Sequence, residues 1–272
     1  VLDSGLGGLS VLKEIMDHLP QEPVRYLADS RNCPYGSKPF DETTDLARAH
    51  IDFLLSLNCK LIVVACNTIT AAAIDILRRE YPVPFIGMEP AVKPACQQTR
   101  TGRIGILATE NTFNGRLFQQ TYEKYAKGVQ VFVQPGFGLV ELVEANEHNS
   151  QKAYDLLESY LAPMMENGVD TLVLGCTHYP FLVNVIRDIT RNAVSIIDPA
   201  GAVAAQTRRV LENSNLLSDG EQAPDHILFT SGSPHAAHTI LSGTIDHPFD
   251  VIELDPNITA TLSNQDNGSW NF

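Results

Sequence analysis

The sequence predicts an α/β protein: two similar doubly wound, mainly parallel-sheet domains facing each other across a cleft. Three observations carry that expectation. Apolar runs of strand length alternate with amphipathic helical patterns along most of the chain, the signature of parallel sheets covered by helices on both faces. Two segments repeat one another, Leu61-Ile-Val-Val-Ala-Cys66-Asn67-Thr68 and Thr171-Leu-Val-Leu-Gly-Cys176-Thr177-His178. Each then reaches a second matching strand that ends in an acid-Pro-Ala signature, Glu89-Pro90-Ala91 in one copy and Asp198-Pro199-Ala200 in the other.

The elements follow in order. Val1-Leu2 ends a strand, and Gly7 to Leu19 reads as a helix stopped by Pro20. Val24 to Ala28 is the next strand. Asp41 to Leu57 is an amphipathic helix, with Leu46, Ala49, Ile51, Phe53 and Leu54 on its apolar side. The Cys66 strand leads to a helix from about Thr70 to Tyr81 and a strand ending near Met88. A new α/β series starts with the strand Arg103 to Thr109, followed by a helix near Asn114 to Lys127 and a strand from Val129 to Val133. Helices at Leu139 to Ala145 and Gln151 to Asn167 precede the Cys176 strand. After Ala200 come a helix from about Val203 to Glu212 and strands at Ile227 to Thr230 and Phe249 to Leu254, expected to return to the first domain. Residues 1–91 plus 201–256 then form the first domain and 92–200 the second. Residues 257–272 are polar, without a core pattern, and read as a flexible tail.

Composition narrows the class. At 272 residues the chain suits one large or two smaller domains. No apolar run approaches the roughly 20 residues of a membrane span, so no membrane partner is expected. Five cysteines without framework spacing fit a reducing cytoplasm better than a disulfide scaffold. There is no CxxC and no paired Cys/His ligand set, so no metal is expected. His235 and His238 are spaced i, i+3 without further ligands and read as solvent-facing. The charged group Arg78, Arg79 and Glu80 reads as a solvated helix end. A net charge of −13 argues against direct nucleic acid binding but leaves a small anionic substrate open, because backbone N–H groups at helix N-termini can hold a carboxylate. The chain opens on Val1 inside a strand, so upstream residues are expected to be missing.

Asp3-Ser4-Gly5-Leu6-Gly7-Gly8-Leu9-Ser10 follows a strand and opens a helix. It partly matches a dinucleotide fingerprint, and Asp29 stands at the end of the next strand. Yet Ser10 replaces the third glycine, and Asp3 would put negative charge at the mouth of a phosphate loop. The better reading is a helix N-terminus that receives a carboxylate, with Asp3 and Ser4 pointing into the cleft; a purely structural turn is the alternative. Cys66 and Cys176 both end strands, where open α/β sheets collect ligands, and both precede hydrogen-bonding side chains. One site with a thiol on each face is the expected result. Cys33, Cys59 and Cys96 lack the duplicated context and read as small hydrophobes.

Taken together, Asp3-Ser4-Gly5-x-Gly7-Gly8, Pro34-Tyr35-Gly36, Ala65-Cys66-Asn67-Thr68 and Gly175-Cys176-Thr177-His178-Tyr179-Pro180 resemble the motif set of the glutamate racemase family, within the cofactor-independent aspartate/glutamate racemase superfamily. The resemblance covers about residues 1–255, in the same order and with similar spacing. It implies two α/β domains with glutamate between them, no cofactor, and interconversion of L- and D-glutamate for peptidoglycan synthesis. By the same match Asp3, Ser4, Tyr35, Gly36, Asn67, Thr68, Thr177 and His178 would contact substrate, although Tyr35-Gly36 also reads as a simple turn. Glu144 matches a family glutamate that supports the second thiol. Gln134-Pro135 departs from the Cys-Pro often found upstream of it, and Glu141 is a competitor for the role.

The chemistry explains why such residues are wanted. Racemisation removes the Cα proton from one face and returns one to the other, and two thiols on opposite faces do this without moving a base around the substrate. A thiol titrates near working pH and can be tuned by neighbours. Asp3 would serve Cys66, and His178 with Glu144 would serve Cys176. Asn67, Thr68, Thr177 and backbone N–H groups would steady the carbanion. Alternatives stay open: an aspartate or hydantoin racemase, a decarboxylase or isomerase of similar fold, a thiol hydrolase with an acyl-enzyme, or an amino-acid-responsive regulatory module. Pairing of two copies as a homodimer is likewise open.

Overall fold

Ten strands and eleven α-helices alternate through residues 1–220 and 224–255, the part of the chain that the computed structural model describes. The tail expected at 257–272 lies outside these residues. The first series is β1 (Leu2–Asp3), α1 (Leu9–His18), β2 (Val24–Ala28), α2 (Phe40–Ser56), β3 (Ile62–Val63), α3 (Asn67–Glu80) and β4 (Phe85–Ile86). The second is α4 (Val92–Gln98), β5 (Arg103–Ala108), α5 (Glu110–Asn114), α6 (Arg116–Tyr125), β6 (Gln130–Pro135), α7 (Leu139–Glu144), α8 (Gln151–Glu166), β7 (Thr171–Gly175), a 3-10 turn at Tyr179–Leu182, α9 (Val183–Thr190) and β8 (Ser195–Ile197). The chain closes with α10 (Ala200–Asn213), β9 (His226–Thr230), α11 (Pro234–Thr244) and β10 (Asp250–Glu253).

Every strand pairing is parallel. The first sheet runs β1-β2-β9-β10, and a bridge from Leu2 to Val64, with the Ala65 N–H on the Leu2 carbonyl at 2.8 Å, joins it to the β3-β4 pair. The second sheet runs β6-β5-β7-β8. In each series the spatial order is therefore second strand, first, third, fourth, so the sequence repeat is a topological repeat. β9 and β10 extend only the first sheet.

That order fixes where a ligand can sit. The chain leaves the first strand to one side and returns on the other for the third, which opens a crevice at the carboxyl ends of those two strands. β1 delivers Asp3 and Ser4 to this crevice and β3 delivers Cys66. In the second sheet β5 delivers Thr109 and β7 delivers Cys176. Helices cover both faces of each sheet. Leu2, Leu27, Ile51, Leu54, Ile62 and Ile69 pack on one side of the first sheet and Leu9, Leu12, Met16, Tyr26 and Leu228 on the other. Leu107, Leu139, Leu157, Leu172 and Leu174 pack on one face of the second, and Ile104, Ile106, Phe118 and Val173 on the other. Burial on both faces is why these strands read as continuous apolar runs instead of alternating ones.

Several boundaries differ from the sequence reading. Helix α3 starts at Asn67, not near Thr70, with Cys66 as its N-cap. Asn and Thr are poor in helix interiors but tolerated in the first turn, so the pattern alone placed the start late. Helices α4, α5, α9 and α11 carry no expectation from the sequence: α5 has five residues, α4 holds Pro94, and α9 follows Pro180 at once. Helix α11 buries only Ala237, Ile240 and Leu241. His235 and His238 lie exposed on it, and Arg78, Arg79 and Glu80 are exposed at the end of α3, both as expected. Among the described residues, no helix is long and apolar enough to cross a membrane.

Candidate active site

The turn after β1 is built around one carboxylate. Asp3 Oδ2 accepts the N–H groups of Gly5 and Gly8, each at 3.1 Å, and Leu6 N–H goes to Glu144 Oε1 at 2.6 Å. The donors expected to await a substrate carboxylate at this helix start are thus already engaged by the protein's own acids. The glycines are needed for space. A Cβ on Gly8 would lie 2.8 Å from Asp3 Cβ, and Cβ atoms on Gly5 and Gly7 would overlap Glu144 and His178.

Around this turn the two switch points meet. Cys66 is 4% exposed and its thiol donates to Ser4 Oγ at 3.5 Å. Cys176 is 6% exposed, with His178 Nδ1 at 3.8 Å from its sulfur. Thr177 donates to Asp3 Oδ1 at 3.2 Å, linking the second strand end to the first. His178 Nε2 stands 2.7 Å from Glu144 Oε1, and Ser30 donates to Glu144 Oε2 at 3.1 Å. Glu144, and not the exposed Glu141, makes this contact. Asn67 donates from Nδ2 to the Met88 carbonyl at 3.3 Å, while its buried Oδ1 has no hydrogen-bond partner among the described residues. The Thr68 hydroxyl pairs with that of Thr109 at 3.0 Å.

Tyr35 is placed differently from the rest. Its ring is buried and its hydroxyl donates to Asp29 Oδ2 at 2.6 Å, so the side chain is committed to the scaffold. Gly36 presents backbone at the cleft, with its carbonyl accepting the Asn111 N–H at 3.2 Å. A Cβ there would come within 2.9 Å of Thr109.

Burial sets the electrostatics. The Cys66 thiol is pushed up to about 12, first by desolvation and then by the charge of Asp3. Asp3 is itself raised by burial, partly offset by His178 and by the Gly8 and Gly5 N–H groups. Burial works against charge on His178, but Cys176, Cys33 and Glu144 outweigh it and hold the imidazole well above its ordinary value. Glu144 is lowered, because its bond to His178 and its two other donors overcome burial. The site thus holds a neutral thiol at Cys66 and an imidazolium–carboxylate pair beside Cys176.

The sequence reading missed three contributors. Cys33 joins His178 and Glu144, with donor atoms all within 4.8 Å of one another. Ser30 holds Glu144. Thr109 follows β5, the repeat equivalent of β1, and by strand register occupies the place that Ser4 fills in the first copy; superposing the repeat would have found it. The acid-Pro-Ala signatures serve elsewhere: Glu89, Pro90, Asp198 and Pro199 line a cavity of about 780 Å³ that contains neither thiol.

The chain as a whole is similar to known proteins. A family model described as Asp/Glu/Hydantoin racemase matches residues 9–207. A glutamate racemase of Herpetosiphon aurantiacus is 45% identical over 86% of this chain and 92% of its own. One of Pseudomonas aeruginosa is 46% identical over 89% of this chain and 91% of its own. Among solved structures, Escherichia coli glutamate racemase in complex with L-glutamate and the activator UDP-MurNAc-Ala superposes with a TM-score of 0.83 at 30% identity, covering 93% of this chain and 96% of that one.

Proposed function

The chain belongs to the Asp/Glu/hydantoin racemase family, among the glutamate racemases, and from that premise we propose that it interconverts L- and D-glutamate by passing protons through Cys66 and Cys176. Residues 1–91 with 201–256, and 92–200, would be the two domains that bring the thiols together. The observation that carries the proposal is the meeting of two strand-end thiols from the two copies of the repeat in one buried site.

The geometry suggests how the reaction would run. One sulfur, as thiolate, takes the Cα proton to form S–H, and the electron pair of the C–H bond moves toward the substrate carboxylate. The opposite thiol then gives its proton to the other face of Cα, and that face sets the new configuration. Cys66, uncharged in this state, is suited to donate first. The His178 imidazolium at 3.8 Å attracts negative charge developing on the Cys176 sulfur. Asn67 Oδ1, buried and unpartnered, is an acceptor suited to the substrate ammonium. Ser4, Thr68, Thr177 and the Gly36 backbone would hold the carboxylates. The work asked of Asp3, His178 and Glu144 is to orient and charge the two thiols.

The product D-glutamate would serve peptidoglycan synthesis, in the cytoplasm. Association as a homodimer is part of the proposal and is read by sedimentation. Chiral analysis of glutamate incubated with the purified chain and no added cofactor tests the central claim. Either pure enantiomer should run to an equal mixture. Faster turnover of aspartate would move the assignment elsewhere in the family.

A further inference from the structure

We propose that Cys33, Glu144 and His178 form a binding site for a zinc-like divalent cation whose occupancy switches the enzyme off. The three residues come from the loop after β2, the end of α7 and the loop after β7, and their thiol, carboxylate and ring-nitrogen donors lie within 4.8 Å of one another. No linear spacing announces such a set, which is why the residues read in order point to no metal. Zinc is held by this mixture of sulfur, nitrogen and oxygen, whereas magnesium and calcium prefer oxygen alone. Three protein ligands leave a fourth position for water or a substrate carboxylate.

The surroundings already orient the ligands. Leu6 N–H at 2.6 Å and the Ser30 hydroxyl at 3.1 Å fix the Glu144 carboxylate, as outer partners do in metal sites. The His178–Glu144 contact of 2.7 Å is held by a proton, which a cation would replace with a modest widening of the pair. His178 also stands 3.8 Å from the Cys176 sulfur with Glu144 behind it, so a bound cation removes that support. Only this kinetic consequence rests on the racemase reading; cation binding does not.

Cobalt(II) titration of the reduced, metal-free chain is the test, because sulfur-bound cobalt shows a charge-transfer band and four-coordinate cobalt intense visible bands. The expected result is one equivalent bound with both signatures, displaced by zinc. Cys33→Ser should lose the charge-transfer band and bind at least ~10-fold more weakly, while keeping its near-ultraviolet circular dichroism; the racemisation it retains, measured without zinc, should no longer fall when zinc is added. Cys33→Ala provides a second variant. Cys66→Ser should keep the band. Absence of the band in the unaltered chain, its survival in both Cys33 variants, or its loss in Cys66→Ser overturns the site. Cobalt bound as described without glutamate racemisation would instead leave the site standing and remove the functional reading.

Discussion

Asp3 Oδ1 accepts the hydroxyl of Thr177 at 3.2 Å, so the carboxylate that ends the first strand of one sheet is bound to the residue after Cys176 at the end of the other. The sequence reading assigned Asp3 to Cys66 alone. Its charge does help raise the Cys66 thiol, yet its other oxygen closes the Gly5–Gly8 turn and its partner Thr177 neighbours the second sulfur. One buried carboxylate therefore ties both halves of the site together, whereas of the two catalytic thiols only Cys176 has His178 against its sulfur, with Glu144 behind the ring.

This asymmetry separates two variants. Asp3→Asn should lower kcat in both directions, on the order of 10²-fold for loss of a group in a proton-transfer site. His178→Asn should lower kcat more in one direction than in the other. The equilibrium constant of a racemisation is one, so kcat/KM must fall equally in both directions, and the inequality must appear in kcat and KM separately. Polarimetry started from each enantiomer reads both. Unchanged kcat in a folded Asp3→Asn variant would remove Asp3 from the catalytic set.

A second prediction concerns space. A Cβ on Gly7 would come within 2.5 Å of His178 Cγ, in a site with no room to yield. Gly7→Ala should displace the ring, cost about 1–3 kcal/mol of stability as overpacking does, and lower kcat while both thiols stay in place. Gly243, inside α11, has no atom within 4 Å of its added Cβ. Gly243→Ala should leave activity intact and add about 0.5–1 kcal/mol through helix propensity. Thermal melts with kinetics distinguish the two; equal behaviour would show that the crowding at Gly7 is relieved cheaply.

Much of this was legible because buried parallel strands write themselves as apolar runs. The strand read at Val24 to Ala28 has those bounds in the structure, and the two Cys strands announce the repeat that the order β2-β1-β3-β4 and β6-β5-β7-β8 makes physical. Helix α11 was missed because few of its side chains are apolar, although Ser233 followed by Pro234 is an N-cap and N1 pair that could have marked it. In the site, residues beside the cysteines were readable from local motifs. Cys33 was not, since its relation to Glu144 and His178 is created only when segments 111 and 145 residues away in sequence converge on it, as the positions 33, 144 and 178 show. Asp3 as a shared group was hidden for the same reason.

The Cys66 thiol predicts a pH effect on stability. Its value in the folded chain, about 12, lies above the roughly 8.5 of a free thiol. Below about pH 8.5 both states hold the proton and the group adds no pH dependence. Above it the unfolded chain releases the proton while the folded chain keeps it, so stability falls as pH rises toward 12, by up to about 1.4 kcal/mol per unit. Cys66→Ser lacks this contribution. Urea unfolding at pH 8 and 10 should therefore show a smaller loss for the variant than for the unaltered chain. Parallel losses would mean that the folded thiol ionises as freely as an unfolded one.

The two-thiol route makes the sharpest prediction. Protons on sulfur exchange readily with solvent, so an enantiomer converted in D₂O should receive deuterium at Cα from the thiol opposite the one that removed its proton. Early in the reaction the product enantiomer should be deuterated and the recovered starting enantiomer should carry little label. A single base serving both faces could return the original proton, leaving protium in the product. Early product rich in Cα protium would count against two separate donors. Cys66→Ser and Cys176→Ser complete the test, because both sulfurs are buried beside hydroxyl or imidazole partners that a serine can still engage. Each variant should fold and lose most racemisation, since an alcohol ionises far less readily than a thiol. Near-normal racemisation by either would show that its sulfur is not a required proton carrier.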